Sequence, residues 1–318
     1  MTQRNGRQTM GGFTFDGRVV AVTGAGRGIG RAYAELLARL GAKVVVNDLG
    51  AAAAGAGSDP APANRVVERI LAAGGAAVAD HADVSTAEGG QSIIDTALGE
   101  FGRIDAVVNN AGNMIWAGLP EVDLATLERL LDVHVKGAFN TVRAAWPQML
   151  RQGYGRVVLT TSIGMFGLPD NLGYATGKAA LLGMARSMSA AAGERDIRVN
   201  CIAPNALTRL AGKPGDAPAN EGFRPPPELN PAAVAPMVAY LAHEACQARG
   251  EVYVAGGGRF ARLFLGVTEG YVSAEPARAS VEEVAANWET INDEKGYYVP
   301  TDPVDWSEHF MAHLHQPD

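Results

Sequence analysis

The chain has 318 residues, 47% of them hydrophobic and 19% charged, which is enough to bury one large core in an α/β fold. Its net charge of −7 and scattered basic residues exclude the positive field that a nucleic-acid partner or an anionic membrane would need. The two cysteines, Cys201 and Cys246, form no CxxC pair, so no disulfide framework or metal site is expected, and both are read as reduced packing residues. No apolar run reaches the length of a signal peptide or a membrane span, which points to the cytoplasm.

In chain order, apolar runs of strand length fall at 18–23, 43–47, 76–79, 104–109, 156–161, 197–202 and 251–255. Stretches with helical spacing separate them, such as Ile29, Tyr33, Leu36, Leu37 and Leu40, then Val66, Val67, Ile70 and Leu71. Near-continuous apolar strands need cover on both faces. The alternation therefore predicts a doubly wound, mostly parallel seven-stranded sheet with helices on both sides. Two segments rich in small residues, Pro and Gly, 49–63 and 207–230, are expected to be surface loops. Beyond Gly258 the tail predicts a helix over 281–291, while His309, His313 and His315 are read as solvated. The organisation expected is one dinucleotide-binding domain, 1–258, and a C-terminal extension, 259–318, packed on that domain or on a partner subunit.

The run Thr23-Gly24-Ala25-Gly26-Arg27-Gly28-Ile29-Gly30 follows the first strand and opens the first helix, the setting in which such a turn binds a dinucleotide. Its glycines let the backbone approach a pyrophosphate, and the unpartnered amides of the helix start attract the phosphates. About 20 residues on, Asp48 ends the second strand, where a carboxylate can accept from the adenosine ribose hydroxyls and repel a 2′-phosphate. No Lys or Arg follows until Arg65, so the cofactor expected is NAD. Arg27, inside the turn, is the one residue that argues the other way.

Tyr174 and Lys178 are spaced to share one helix face. A phenol is a poor base at neutral pH. Lowering its pKa by about 3 units requires roughly 4 kcal/mol of preference for phenolate. An ammonium across about 4 Å of water supplies only about 1 kcal/mol, so the site must be partly dry and an oxidised nicotinamide must add its positive charge. A hydroxyl to orient the substrate oxygen comes from the end of the strand over 156–161. Counting back from Tyr174 favours Thr161 and counting forward along the strand favours Ser162, the reading preferred here.

With Gly24, Gly28 and Gly30, Asn109-Asn110-Ala111-Gly112, Ser162, Tyr174 and Lys178 in this order, the sequence resembles the short-chain dehydrogenase/reductase family. The resemblance implies that Tyr174 is the general acid/base and that Lys178 binds the nicotinamide ribose. It also implies that Asp83-Val84 contact the adenine, that Asn110-Ala111-Gly112 support the central strand beside the cofactor, and that Thr208 after Pro204 holds the nicotinamide carboxamide. From about Phe15 to Trp288 the chain is similar to the (3R)-hydroxyacyl-CoA dehydrogenase units of multifunctional enzymes, in VVVNDLG, FGRIDAVVNNAG, DVHVKGAF, IAPNALTRL and VAPMVAYLAHEAC. That likeness implies an acyl-CoA substrate, with a 17β-hydroxysteroid as the alternative, and a homodimer or homotetramer. A non-catalytic NAD-sensing protein is the distant alternative.

His134 stands where the wider family has Asn. If that Asn holds a relay water through its backbone carbonyl, a His serves equally, and its imidazole is then a packing or hydrogen-bonding group. Met114, Trp116, Met165, Phe166 and Leu168 supply an apolar lining on loops after strands. Arg209, Lys213, Arg224, Arg259 and Arg262 are candidates to meet CoA phosphates.

Overall fold

The computed structural model describes residues 12–208 and 226–315. Arg209, Lys213, Arg224 and most of the 207–230 segment lie outside the described residues, as does the side chain of His315. Chain contacts divide the molecule into two compact units, Met1–Arg262 and Leu263–Asp318.

In the first unit strands and helices alternate: β1 (Val19–Thr23), α1 (Gly28–Arg39), β2 (Lys43–Asn47), α2 (Ala61–Ala72), β3 (Ala76–Asp80), α3 (Ala87–Phe101) and β4 (Ala106–Asn109). There follow α4 (Leu124–Leu131), α5 (Gly137–Gln152), β5 (Tyr154–Thr160), α6 (Leu172–Ala192), β6 (Asp196–Pro204), α7 (Ala235–Ala242), β7 (Val252–Gly256) and β8 (Arg259–Leu263). The strand order is β3-β2-β1-β4-β5-β6-β7-β8, and every pairing from β3 to β7 is parallel. The chain winds one way from β1 to β3 and then the other from β4 onward. Adjacent β1 and β4 therefore have connections leaving in opposite directions, and a crevice opens beyond their carboxyl ends.

Local sequence accounts for the pieces. β1 is buried at all five positions, as a central strand covered on both faces must be. α3 starts at Thr86, whose hydroxyl accepts from Gly89 N, and stops at Gly102 in the left-handed conformation. α4 starts at Asp123, whose carboxylate accepts from Thr126 N at 2.7 Å. Tyr33, Leu37, Val44, Val66 and Ile70 join α1 and α2 to one face of the sheet.

Three expectations need correction. The sheet has eight strands, not seven. Gly257 and Gly258, with φ of +58° and +73°, turn the chain back at once, and so short a link joins only antiparallel strands. β8 is exposed at four of its five positions, so no apolar run announced it. The loop after β2 ends sooner than expected, because α2 begins at Ala61 and buries Ala63 fully. Its prolines sit at the helix start, where a missing N–H costs nothing. The tail helix is broken at Asn287 into α8 (Val281–Ala286) and α9 (Trp288–Ile291).

The second unit also holds α10 (Pro303–Phe310) and an antiparallel bridge between Val267 and Tyr298. His309 is not simply solvated there: it stacks on Tyr298 at 3.7 Å between ring centroids and lies 3.4 Å from Glu269. Among the described residues no helix is long and apolar enough to cross a membrane.

Candidate active site

The predicted residues lie beyond the carboxyl ends of β1 to β6, on α6 and in the turn between α4 and α5. At the first of these the glycine turn is built for close approach. A side chain on Gly24 would meet Ala111 Cα at 2.8 Å, and one on Gly30 would run into the Gly24 carbonyl. Thr23 locks the turn to the next strand: its hydroxyl accepts from Asn110 N and Ala111 N, each at 3.0 Å. Asn110 returns the tie, its side-chain amide donating to the carbonyls of Thr23 and Gly24 at 3.1 Å. Asn110 is thus a brace of the turn.

Helix α1 opens with Arg27 as its N-cap, without a side-chain cap and without an acidic residue in its first turn. Its first amides and the positive end of its dipole are left for an anion, which fits a dinucleotide pyrophosphate. Ile29 is half-buried beside them. Thr208 comes close to this turn, its Cγ2 lying 3.5 Å from where a Cβ on Gly28 would stand, and Pro204 ends β6.

Asp48 is 9% exposed. Its two carboxylate oxygens accept from Gly26 N and Gly50 N, each at 2.7 Å, which fixes the carboxylate against the turn and leaves further lone pairs for hydroxyl donors. Arg27 points to the loop after β2, donating to the Ala51 carbonyl at 3.3 Å. Asp83 is engaged locally, accepting from Ser85 N, and Val84 is buried against Gly137.

On α6, Tyr174 and Lys178 face the same centre, with the Lys178 Nζ 5.6 Å from the Tyr174 ring centroid. Ser162 and Thr161 part company here. Thr161 is fully buried and donates to the Lys178 carbonyl at 2.7 Å, whereas Ser162 accepts from Gly164 N and hydrogen-bonds the Tyr174 phenol. Of the two hydroxyls, the one at the phenol is Ser162. Burial pushes the Tyr174 phenol above its ordinary value, and the bond with Ser162 draws it partly back. Burial also pulls Lys178 down to about 7, although its Nζ donates to the Thr160 carbonyl at 2.6 Å. The buried Cys201 thiol, influenced by that ammonium, is pushed up to about 12 by burial.

His134 sits in a π-helical turn, Asp132–Lys136, between α4 and α5. Its ring meets Tyr174 edge to face at 5.3 Å, and a Cβ on Gly112 would approach its Cε1 to 2.6 Å, so position 112 admits no side chain. Nε2 lies 2.9 Å from the Asn113 carbonyl and donates to it, which leaves Nδ1 as an acceptor; that atom is buried without a partner. Burial and the nearby Lys178 charge push the imidazole well below its ordinary pKa, so it is neutral. A void of about 10 Å³ is lined by His134, Lys178, Thr160, Asn109 and Thr23, and Thr160 Oγ1 is likewise unpartnered. That is about the room one water needs. A larger cleft, about 750 Å³, lies elsewhere between α3 and Arg143 and includes none of these residues.

Of the apolar lining, Phe166 and Leu168 are 73% and 54% accessible, while Met114, Trp116 and Met165 are half-buried. Of the basic set, Arg262 is gripped by Glu251 at 2.7 and 2.8 Å, and Arg259 is exposed. Asn113 and Thr160 were missed from the sequence, as was the bracing role of Thr23. Only Thr23 left a signal there, as a polar residue closing an apolar strand.

The short chain dehydrogenase family profile matches residues 18–213. A Mycobacterium tuberculosis protein named as a short-chain type dehydrogenase/reductase is 41% identical over 283 residues, 88% of this chain and 95% of that one. Peroxisomal multifunctional enzyme type 2 of Drosophila melanogaster is 37% identical over 289 residues, 89% of this chain but 46% of the fly protein. The chain thus spans about half the length of that relative. The solved structure of the full-length fly enzyme superposes with a TM-score of 0.76 at 30% identity, covering 95% of this chain and 50% of that one. The fold agrees with these likenesses: the chain belongs to the short-chain dehydrogenase family, and it is an oxidoreductase acting on an alcohol or ketone group.

Proposed function

We propose that the chain is an NAD-dependent (3R)-3-hydroxyacyl-CoA dehydrogenase, interconverting the 3-hydroxyacyl and 3-ketoacyl thioesters. The observation that carries the substrate is the extent of the likeness to the fly multifunctional enzyme. It runs through 289 residues, well beyond the part that the family profile matches. The exposed apolar rim at Phe166 and Leu168 suits an acyl chain. NAD rather than NADP follows from Asp48, held by two backbone amides at the end of β2, and from Arg27, turned to the Ala51 carbonyl.

The chemistry follows from the same geometry. The nicotinamide supplies the hydride acceptor and, when oxidised, a positive charge near the phenol. Tyr174 holds its proton at neutral pH in the protein by itself, so it is ready to donate to a ketone oxygen. To take a proton from an alcohol it needs the added positive charge, since Lys178 at 5.6 Å from the ring has not lowered it. Ser162, bonded to the phenol, orients the substrate oxygen. Lys178 binds the ribose hydroxyls in addition to the Thr160 carbonyl. A single water in the void would offer partners to His134 and Thr160, whose Nδ1 and Oγ1 lack them, and would stand beside Lys178.

The test is incubation with NAD and separate (3R)- and (3S)-3-hydroxyacyl-CoA, read as NADH absorbance. Turnover of the (3R) thioester alone is expected, because phenol and nicotinamide meet the carbinol carbon from fixed sides. No NADH from it, alongside good rates with a 17β-hydroxysteroid, would overturn the thioester assignment.

A further inference from the structure

The segment after β2 does something its composition does not announce. From Gly50 to Ser58 it contains only Gly, Ala and Ser, with no charged side chain. Yet it is tied at three places. Its ends are pinched together, Asp59 N donating to the Leu49 carbonyl at 2.9 Å. On the way out, the Ala51 carbonyl accepts from Arg27 of the glycine turn. At the far side, the Ala53 carbonyl accepts from Met114 N, beyond the end of β4, at 3.0 Å, and Gly55 lies against Asn113. Ala51 and Ala53 are half-buried while Ala52 and Ala54 are exposed, and the segment turns back on itself at its tip, Gly55 N donating to the Ala52 carbonyl at 2.9 Å and Ala52 N to the Ala56 carbonyl at 2.8 Å.

β2 and β4 are separated by β1, so the segment crosses the carboxyl end of β1, over the glycine turn. Two strand spacings are roughly 10 Å, and five extended residues reach about 17 Å, which leaves slack for an arch. The two banks it joins are those of the crevice in which open α/β sheets bind ligands.

We infer that residues 50–58 form a strap over the dinucleotide, anchored on Arg27 and Met114, which slows cofactor release. The inference rests on the dinucleotide reading given above. Its chemistry is that of the main chain: with no charge to offer or repel, the strap encloses the pyrophosphate and ribose and shields them from water. Asn113, on which the far anchor bears, also holds His134 through its carbonyl, so strap and catalytic end share one support.

Two variants test it. Replacing Ala51–Ser58 by Gly-Gly joins ends that already touch and should leave the fold intact. Gly55→Ala puts a Cβ at φ +89° and 2.9 Å from the Asn113 amide, prising off the far anchor while Ala51 and Arg27 stay in place. The readout is NADH dissociation by stopped-flow fluorescence without substrate, with thermal unfolding of the cofactor-free protein as the control. The dissociation rate should rise at least tenfold in the deletion and a few-fold in Gly55→Ala, with unfolding temperatures within a few degrees of the parent. A folded deletion variant that releases NADH at the parent rate, or binds it more tightly, would overturn the strap alone. A parent protein that binds neither NADH nor NADPH would overturn the dinucleotide reading and the strap together.

Discussion

The two ends of one sheet use buried charge in opposite ways. At the amino ends of the strands, Arg156 is fully buried in β5 and saturated: its guanidinium donates to the carbonyls of His243, Gly155, Asp196 and Glu244 and pairs with the Asp196 carboxylate at 3.0 Å. Beside it, Asp105 takes Arg18 at 3.1 Å, Arg103 at 2.6 Å and Val19 N at 2.9 Å, and the Tyr154 ring meets the guanidinium groups of Arg18 and Arg156 at 4.1 and 4.5 Å from its centroid. At the carboxyl ends, Lys178 is buried on a neutral carbonyl, and His134 Nδ1 and Thr160 Oγ1 have no partner. The first arrangement holds strands together. The second leaves polar capacity unused, which a ligand, a water and a moving proton can take up. At this end burial displaces the ionisation of Lys178, Tyr174 and His134 from their ordinary values.

Variants at each end should therefore fail differently. The largest effect is expected at the structural end. Arg156→Met strands four carbonyls and a carboxylate, and should lower stability by about 3–5 kcal/mol in urea unfolding, with kcat per folded molecule little changed. A mild loss would mean that the network is ornamental. Next comes Tyr174→Phe, which keeps the ring against His134 and removes only the proton carrier. Turnover should fall at least a hundredfold, about 2.7 kcal/mol, with NADH affinity and unfolding temperature near the parent. Retention of more than a few per cent of the rate would remove Tyr174 from its role.

Asp48→Ala should narrow the preference for NAD over NADP in kcat/KM by about tenfold, or roughly 1.4 kcal/mol, by weakening NAD and relieving repulsion of the 2′-phosphate. An unchanged ratio would shift the discrimination to other groups. The smallest effect is expected from His134→Asn. The native imidazole stays neutral far below its ordinary pKa, while the unfolded one takes up a proton below about pH 6.5. Stability is thus lost as pH falls from that value. The variant should shed up to one proton of that slope, at most about 1.4 kcal/mol per pH unit, in unfolding measured between pH 5 and 7. It should keep most of its activity, and a hundredfold loss would show that the imidazole itself takes part.

Much of the site was legible because its parts obey local rules. A glycine turn between strand and helix, an acid closing the second strand, and a Tyr and Lys one helical turn apart each declare themselves within a few residues. Strand runs such as Val19–Thr23 and Lys43–Asn47 were readable for the same reason, since central parallel strands need apolar side chains on both faces. β8 was not, because an exposed edge strand carries no such constraint.

What the sequence by itself determined was the order of elements, the winding of the sheet and the residue types available at strand ends. Only the tertiary structure decided which hydroxyl meets the phenol, since Thr161 and Ser162 are neighbours whose side chains leave the strand on opposite sides, one to the Lys178 carbonyl and one to Tyr174. It also decided that Asn110 braces the glycine turn, that Arg27 faces the Ala51 carbonyl, and that a stretch of alanines and glycines reaches from β2 to Met114. These are contacts between main-chain groups, or between side chains and main chain, far apart along the chain. Every residue carries the same amide and carbonyl, so no pattern of side chains can announce which of them will meet.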